Sequence, residues 1–189
     1  MGEIFAAAGL GTAFYLFFGR AARKRPGAAD FGWAVLAGTA AAVCASLVDR
    51  GGEFWERAVF SGLLGALSSS DVRDGILPHE LTLGGIAVGL AAGIADGEFL
   101  VRFLSASAAW GIFALALAAR PGSFGGGDGW MAGMIGAFVG EGVFLALALG
   151  GTLGGAVGLV LAKVKKKSWR GFCLPFGPFL AAAAAVVGI

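Results

Sequence analysis

Asp71-Val-Arg-Asp-Gly-Ile-Leu-Pro78 separates two uncharged apolar runs, residues 58–70 before it and 81–95 after it. Gly75 and Pro78 punctuate the stretch as a turn, and its carboxylates lie where a membrane helix would end. Gly125-Gly-Gly127-Asp128 repeats the arrangement between the apolar runs 99–119 and 130–139. Uncharged runs joined by short polar breaks are how a chain satisfies its backbone inside a bilayer, because each helix closes its own hydrogen bonds.

Composition agrees. Of 189 residues, 58% are apolar and 14% charged, with mean hydropathy +0.84; a soluble domain carries about a quarter charged residues. The 35 glycines are interleaved with Leu, Val and Phe, and small residues let helices approach closely in lipid. The expected fold is an all-α polytopic membrane protein, a bundle of about eight transmembrane helices, with residues 1–189 as one transmembrane domain. Cys44 and Cys173 stand far apart with no Cys-x-x-Cys pair, so neither a zinc site nor a disulfide framework is expected. His79 is the one histidine, which excludes multi-histidine metal or haem ligation. No phosphate-binding loop occurs, and nothing resembles a nucleic-acid surface. No metal or cofactor is expected.

A spanning helix needs about 20 apolar residues. The candidate segments are residues 4–18, 31–48, 58–70, 81–95, 99–119, 130–139, 143–164 and a last one opened by Pro175-Phe-Gly-Pro178 and running to Ile189. Gly140-Glu141-Gly142 reads as a tight turn. Arg20, Arg23, Lys24 and Arg25 follow the first segment and no base precedes it, which predicts an uncleaved helix with its N-terminus outside. The loops 19–30, 71–80, 119–129 and 163–173 then face the cytoplasm. They hold 11 of the 14 basic residues, leaving Arg50, Arg57 and Arg102 on the other side. The positive-inside rule is thus obeyed, and both carboxylate loops fall on the cytoplasmic face of the membrane. Gly85-x-x-x-Gly89-x-x-x-Gly93 and Gly151-x-x-x-Gly155 read as close-packing seams within the bundle, with dimerisation as the other reading.

Ionisable groups beside apolar segments are costly and mark functional sites. Two carboxylates in one site can divide labour as base and acid around a water. The plainer reading is that Asp71 and Asp128 mark helix ends in water. Gly125 and Gly127 favour the first, since glycine permits close backbone approach. Gly75 and Pro78 structure the loop after Asp71.

Taken together these motifs resemble the bacterial type IV prepilin leader peptidases, membrane aspartyl proteases of the GxGD type. The first family motif, an Asp followed at a fixed distance by Pro and Leu-Thr-Leu, is similar to Asp71, Pro78 and Leu81-Thr-Leu83. The second, Gly-x-Gly-Asp, is matched by Gly125, Gly127 and Asp128, and the run after it resembles Met134-Ile-Gly-Ala-Phe-Val-Gly140. Pro175-Phe-Gly-Pro-Phe-Leu180 resembles the run that opens the last helix. The likeness covers about residues 31 to 189. Many members carry a cytoplasmic insert with two Cys-x-x-Cys pairs, associated with N-methylation of the product. Here residues 19–30 occupy that place without a cysteine. The resemblance therefore implies a short form with peptidase activity and no zinc, and leaves N-methyltransferase activity doubtful. Two further departures are His79, where Asp or Asn is usual, and Trp130, where Lys is common.

The resemblance implies Asp71 and Asp128 as catalytic residues in the bacterial inner membrane, cleaving a short basic leader from a prepilin or pseudopilin whose apolar helix lies in lipid against the bundle. Asp74, Glu80, Gly125 and Gly127 are the expected substrate-binding residues: the two acids add to an acidic spot suited to a basic leader. Glu80 also suits the first turn of a helix. Helix dipoles predict Asp128, near an N-terminus, as the base and Asp71, near a C-terminus, as the acid. Rival readings are a small transporter with an acidic pair, an inactive pilus-assembly subunit, and a protease of the signal-peptide-peptidase kind. The last would want Tyr before the first Asp, and Ser70 stands there. The sequence leaves the particular prepilin and the oligomeric state open.

Overall fold

The computed structural model describes residues 54–121, 125–164 and 175–188. Every regular element among them is helical: α1 (Phe54–Asp74), α2 (His79–Asp96), α3 (Phe99–Ala119), α4 (Gly126–Val139), a single 3-10 turn at Gly140–Gly142, α5 (Val143–Val164) and α6 (Gly177–Val187). The expected segments 4–18 and 31–48 lie outside the described residues.

Predicted limits for the fifth and seventh segments coincide with α3 and α5, and the turn at 140–142 is present. The third segment, expected over 58–70, is longer at both ends. Glu56 sits in the first turn of α1, where an acid complements the helix dipole. At the other end nothing stops the helix until Gly75. Its φ of +63° is the left-handed conformation of a helix terminator, and its N–H returns to the Asp71 carbonyl at 3.0 Å. Asp71 and Asp74 therefore belong to the last turn of α1 rather than to a loop, and the true connection is residues 75–78.

Connections this short force neighbouring helices antiparallel. Pro78, extended at ψ 125°, leads directly into α2, and the buried Thr82 hydroxyl donates to the His79 carbonyl at 3.1 Å, which fixes the first turn. The end of α1 and the starts of α2, α4 and α6 consequently gather at one end of the bundle.

The centre is α4. Every residue from Met131 to Phe138 is buried, as expected of a helix apolar on all sides. Small residues make that possible. A Cβ on Gly136 would lie 2.7 Å from the Ala106 backbone nitrogen of α3, and one on Gly89 would lie 2.8 Å from the Ala137 carbonyl oxygen of α4. The Gly85–Gly89–Gly93 seam is thus a packing seam, as expected. The Gly151–Gly155 pair is not one among the described residues, since neither has an atom within 4 Å of a built Cβ; α5 instead meets α6 through Gly150 and Gly154. Both pairs have the same spacing, and the rotation of α5 about its axis selects which faces inward.

Among the described residues, two helical runs are long and apolar enough to cross a membrane: α3, and Gly126–Leu161, in which the 3-10 turn divides the short α4 from the longer α5. Both expose large apolar side chains, among them Leu100, Leu104 and Leu115 on α3 and Leu145, Leu153 and Val160 on α5.

Candidate active site

Asp71 is carried on the last turn of α1, where Gly75 ends the helix and the Ser70 hydroxyl ties down the connection by donating to the Ile76 carbonyl at 2.8 Å. Only 7% of its surface is exposed. Its Oδ2 accepts the backbone N–H of Gly177, 106 residues away, at 2.7 Å. Asp128 is the third residue of α4 and 6% exposed. Its Oδ2 reaches back to accept the Gly125 N–H at 2.9 Å, the half of a capping box in which the third residue serves the cap. Each carboxylate thus has one oxygen held by a glycine amide, and no cation pairs with either among the described residues.

The two acids reach the same end of the bundle through specific clearances. A Cβ on Gly127 would meet the Leu77 Cβ at 2.7 Å, so only glycine lets the 75–78 connection lie against the start of α4. Behind it, Gly129 admits Phe113 of α3, and Phe113 packs on Phe176 at the start of α6, ring centroids 6.2 Å apart. The Asp71 charge acts on the Asp128 carboxyl. Asp71 stands beyond the apolar run that ends at Ser70. Burial pushes its carboxyl up from the usual range, and the Gly177 N–H, which favours the ionised form, opposes that.

The other expected site residues divide. Gly125 is the donor to Asp128, and Gly127 gives clearance to Leu77. Asp74 and Glu80 are both exposed at this end. The Asp74 carboxylate pairs with Arg73 at 3.0 Å, which weakens the expected acidic spot. Glu80 lies in the first turn of α2, as expected. The two departures from the resembled pattern meet each other: the rings of His79 and Trp130 touch edge to face with centroids 6.0 Å apart, and Trp130 also packs on Trp110 at 5.6 Å.

The dipole argument for separate roles loses its asymmetry. Asp71 does lie at the C-terminus of α1, but its carboxylate is turned onto the first N–H of α6. Both acids therefore face a helix N-terminus, and the pair is better treated as one titrating unit. Gly177 is the functional candidate that spacing missed. Its signal was the Pro175-Phe-Gly-Pro178 run, whose contribution is a main-chain N–H and so has no side chain to announce it.

A cavity of about 450 Å³ opens at the opposite end, beside Glu56, Phe60, Asp96, Arg102 and Val187. It touches neither carboxylate. Among the described residues, no group of three or more His, Cys, Asp or Glu side chains is arranged to hold a metal.

Comparison with known proteins bears on the same region. The model of the type IV leader peptidase family matches residues 58–159, over half of the chain and a span that includes Asp71 and Asp128. No curated protein and no solved structure matches. With that match over α1 to α5, the chain belongs to the type IV leader peptidase family.

Proposed function

We propose that this protein is a membrane aspartyl endopeptidase that removes the short basic leader from type IV prepilins or pseudopilins, with Asp71 and Asp128 activating water. The observation that carries the reading is the pair itself. Two buried carboxylates, 57 positions apart in sequence, converge at one end of a helical bundle with no cation paired to either among the described residues, in a chain whose family is that of leader peptidases.

The chemistry follows from the free oxygens. With each Oδ2 held by a glycine N–H, each Oδ1 is left to bind a shared water. The ionised member of the pair takes a proton from that water as its oxygen bonds to the scissile carbonyl carbon. The protonated member then gives its proton to the leaving nitrogen as the C–N bond breaks. One proton enters the pair and one leaves, so the dyad ends in its starting charge state with the proton transferred between its members. Such a cycle requires that the pair share one proton, as two like charges in one site do.

The placement belongs to the same proposal. The exposed leucines and valines of α3 and α5 suit lipid, and the biased basic loops put the carboxylate end at the cytoplasmic face of the bacterial inner membrane, with residues 1–189 as one multi-pass domain and its N-terminus outside. The substrate's leader would then approach from the cytoplasm and its apolar helix would remain in the bilayer.

The test is cleavage of a prepilin by the purified protein in lipid vesicles, beside its Asp71→Asn and Asp128→Asn variants. Release of the leader by the wild type alone supports the proposal. Intact substrate in all three samples, with cleavage by a known leader peptidase in parallel, overturns it and leaves the inactive-subunit reading.

A further inference from the structure

We infer that Gly177 is a positioning residue for the reaction: its backbone N–H fixes the Asp71 carboxylate at the end of the bundle it shares with Asp128, making the Pro175–Pro178 turn a third limb of the active site. The inference rests on the peptidase reading above and adds a residue from outside both carboxylate motifs.

Five features converge on this role. The Gly177 N–H to Asp71 Oδ2 bond, at 2.7 Å, is buried and joins the start of α6 to the last turn of α1. Gly177 is the first residue of α6, where an N–H has no partner inside the helix. The bond therefore satisfies a donor that the helix cannot, and a buried orphan amide is costly. Room is made by the absence of a side chain: a Cβ on Gly177 would lie 2.8 Å from Asp71 Oδ2 and 3.1 Å from its Cβ. The backbone here is ordinary helix, so glycine is needed for clearance and not for an unusual φ. Pro178 follows at the second helical position, where its missing N–H costs nothing and its fixed φ sets the first turn. Phe176, packed on Phe113, anchors the turn from the other side. Sequence position thus maps to role: one residue packs, one donates, one stiffens.

The arrangement mirrors the one at Asp128, where Gly125 donates from the same chain segment. The difference is that Asp71 depends on an element from the far end of the sequence. A shift of α6 along α1 would release Asp71 while leaving Asp128 as it is.

The experiment compares wild type with two variants of the full chain in detergent micelles and vesicles. Gly177→Ala keeps the donor and pushes a methyl group against the carboxylate. An ester in place of the Phe176–Gly177 amide, introduced by semisynthesis, removes the donor and adds no bulk. Expected for both is a kcat lower by about 100-fold, the order that a 1 Å misplacement of a reacting group costs, with KM within a few-fold of wild type. For the ester, one limb of kcat against pH also moves to higher pH, because the lost donor favoured the ionised form. Gly151→Ala, at a position with no neighbour among the described residues, leaves kcat and KM as in wild type. An independent readout is infrared titration of ¹³C-aspartate protein, with the Asp71 band identified by its loss in Asp71→Asn. That band titrates at higher pH in the ester variant. An ester variant with wild-type kcat and an unmoved Asp71 band overturns the inference, and so does a change confined to KM. If the wild type cleaves no leader, the peptidase reading fails separately, while the infrared titration still decides whether Gly177 holds Asp71.

Discussion

Among the described residues, three carboxylates share one guanidinium at the end of the bundle where α1 starts, and two carboxylates share none at the end where α1 stops. Arg102, in the first turns of α3 and only 7% exposed, pairs with Glu56 of α1, with Asp96 at 3.0 Å and with Glu98 at 3.4 Å, and points one donor at the Gly89 carbonyl of α2. Its charge is spent on joining three helices. Asp71 and Asp128 are as deeply buried as Arg102, yet their partners are backbone amides, which hold a carboxylate in place without cancelling its charge. The contrast teaches how burial of charge is to be read. Where ions neutralise each other the protons are fixed and the cluster is structural. Where two acids are buried at one end with amide donors as their described partners, titration is available for chemistry.

The largest expected effect breaks the carboxylate end. Asp71→Asn or Asp128→Asn lowers leader cleavage by about 10⁴-fold, the upper range for losing a positioned acid or base, and the double variant is no slower than either single one because the pair acts as a unit. Initial rates in vesicles check this, with helical content by circular dichroism showing the fold intact.

Breaking the other end does the reverse. Arg102→Ala leaves Glu56, Asp96 and Glu98 without their common cation. Removing one partner of a buried ion cluster costs about 3–5 kcal/mol, reduced here because the Asp96 and Glu98 side chains are 49% and 63% exposed. Unfolding in detergent is expected at markedly lower denaturant, with kcat per folded molecule retained. A loss of kcat equal to that of the aspartate variants would erase the distinction between the two ends.

Between the ends, Gly136→Ala forces a methyl group onto the α3 backbone at Ala106. Overpacking of this kind costs about 1–3 kcal/mol, measurable as a lower thermal midpoint. The smallest effect is one of pH. The Asp71 carboxyl is raised in the folded protein, so ionising it costs stability. That cost is absent below the unfolded-state pKa, grows as pH rises through the window up to the folded pKa, and is constant above it. Asp71→Asn removes it. The variant should therefore match wild type in thermal midpoint in acidic buffer and exceed it in neutral buffer, by an amount that differential scanning fluorimetry can resolve.

Much of this was legible in the chain. The apolar runs gave the limits of α3 and α5 and the turn between α4 and α5, because charged residues and glycines there coincide with physical helix ends. Counting basic residues puts Asp71 and Asp128 on the same side, and the two residues do lie at one end of the bundle. Pairings across the fold could not be read this way. Arg102 reads as one charge on the minority side of that count, since two of its partners, Glu56 and Asp96, lie on other helices. Gly177 read as a helix opener, since a main-chain donor looks alike at every residue. Gly151-x-x-x-Gly155 read as a seam, since spacing reports a helical face and not what covers it. Asp71 reads as the end of a helix because the apolar run stops at Ser70, whereas α1 continues one turn further until Gly75 takes a positive φ.

The brevity of α4 has a mechanical consequence. Its 14 residues rise about 21 Å at 1.5 Å each, while the 22 residues of α5 rise about 33 Å. A hydrocarbon layer is about 30 Å thick. In the proposed placement, the helix that bears Asp128 falls about 9 Å short of that thickness. The mismatch has to be met by the surroundings, through a bilayer pinched inward beside α4 or a funnel of solvent above its first turn. Either deformation brings water to a peptide bond that an undisturbed membrane would keep dry.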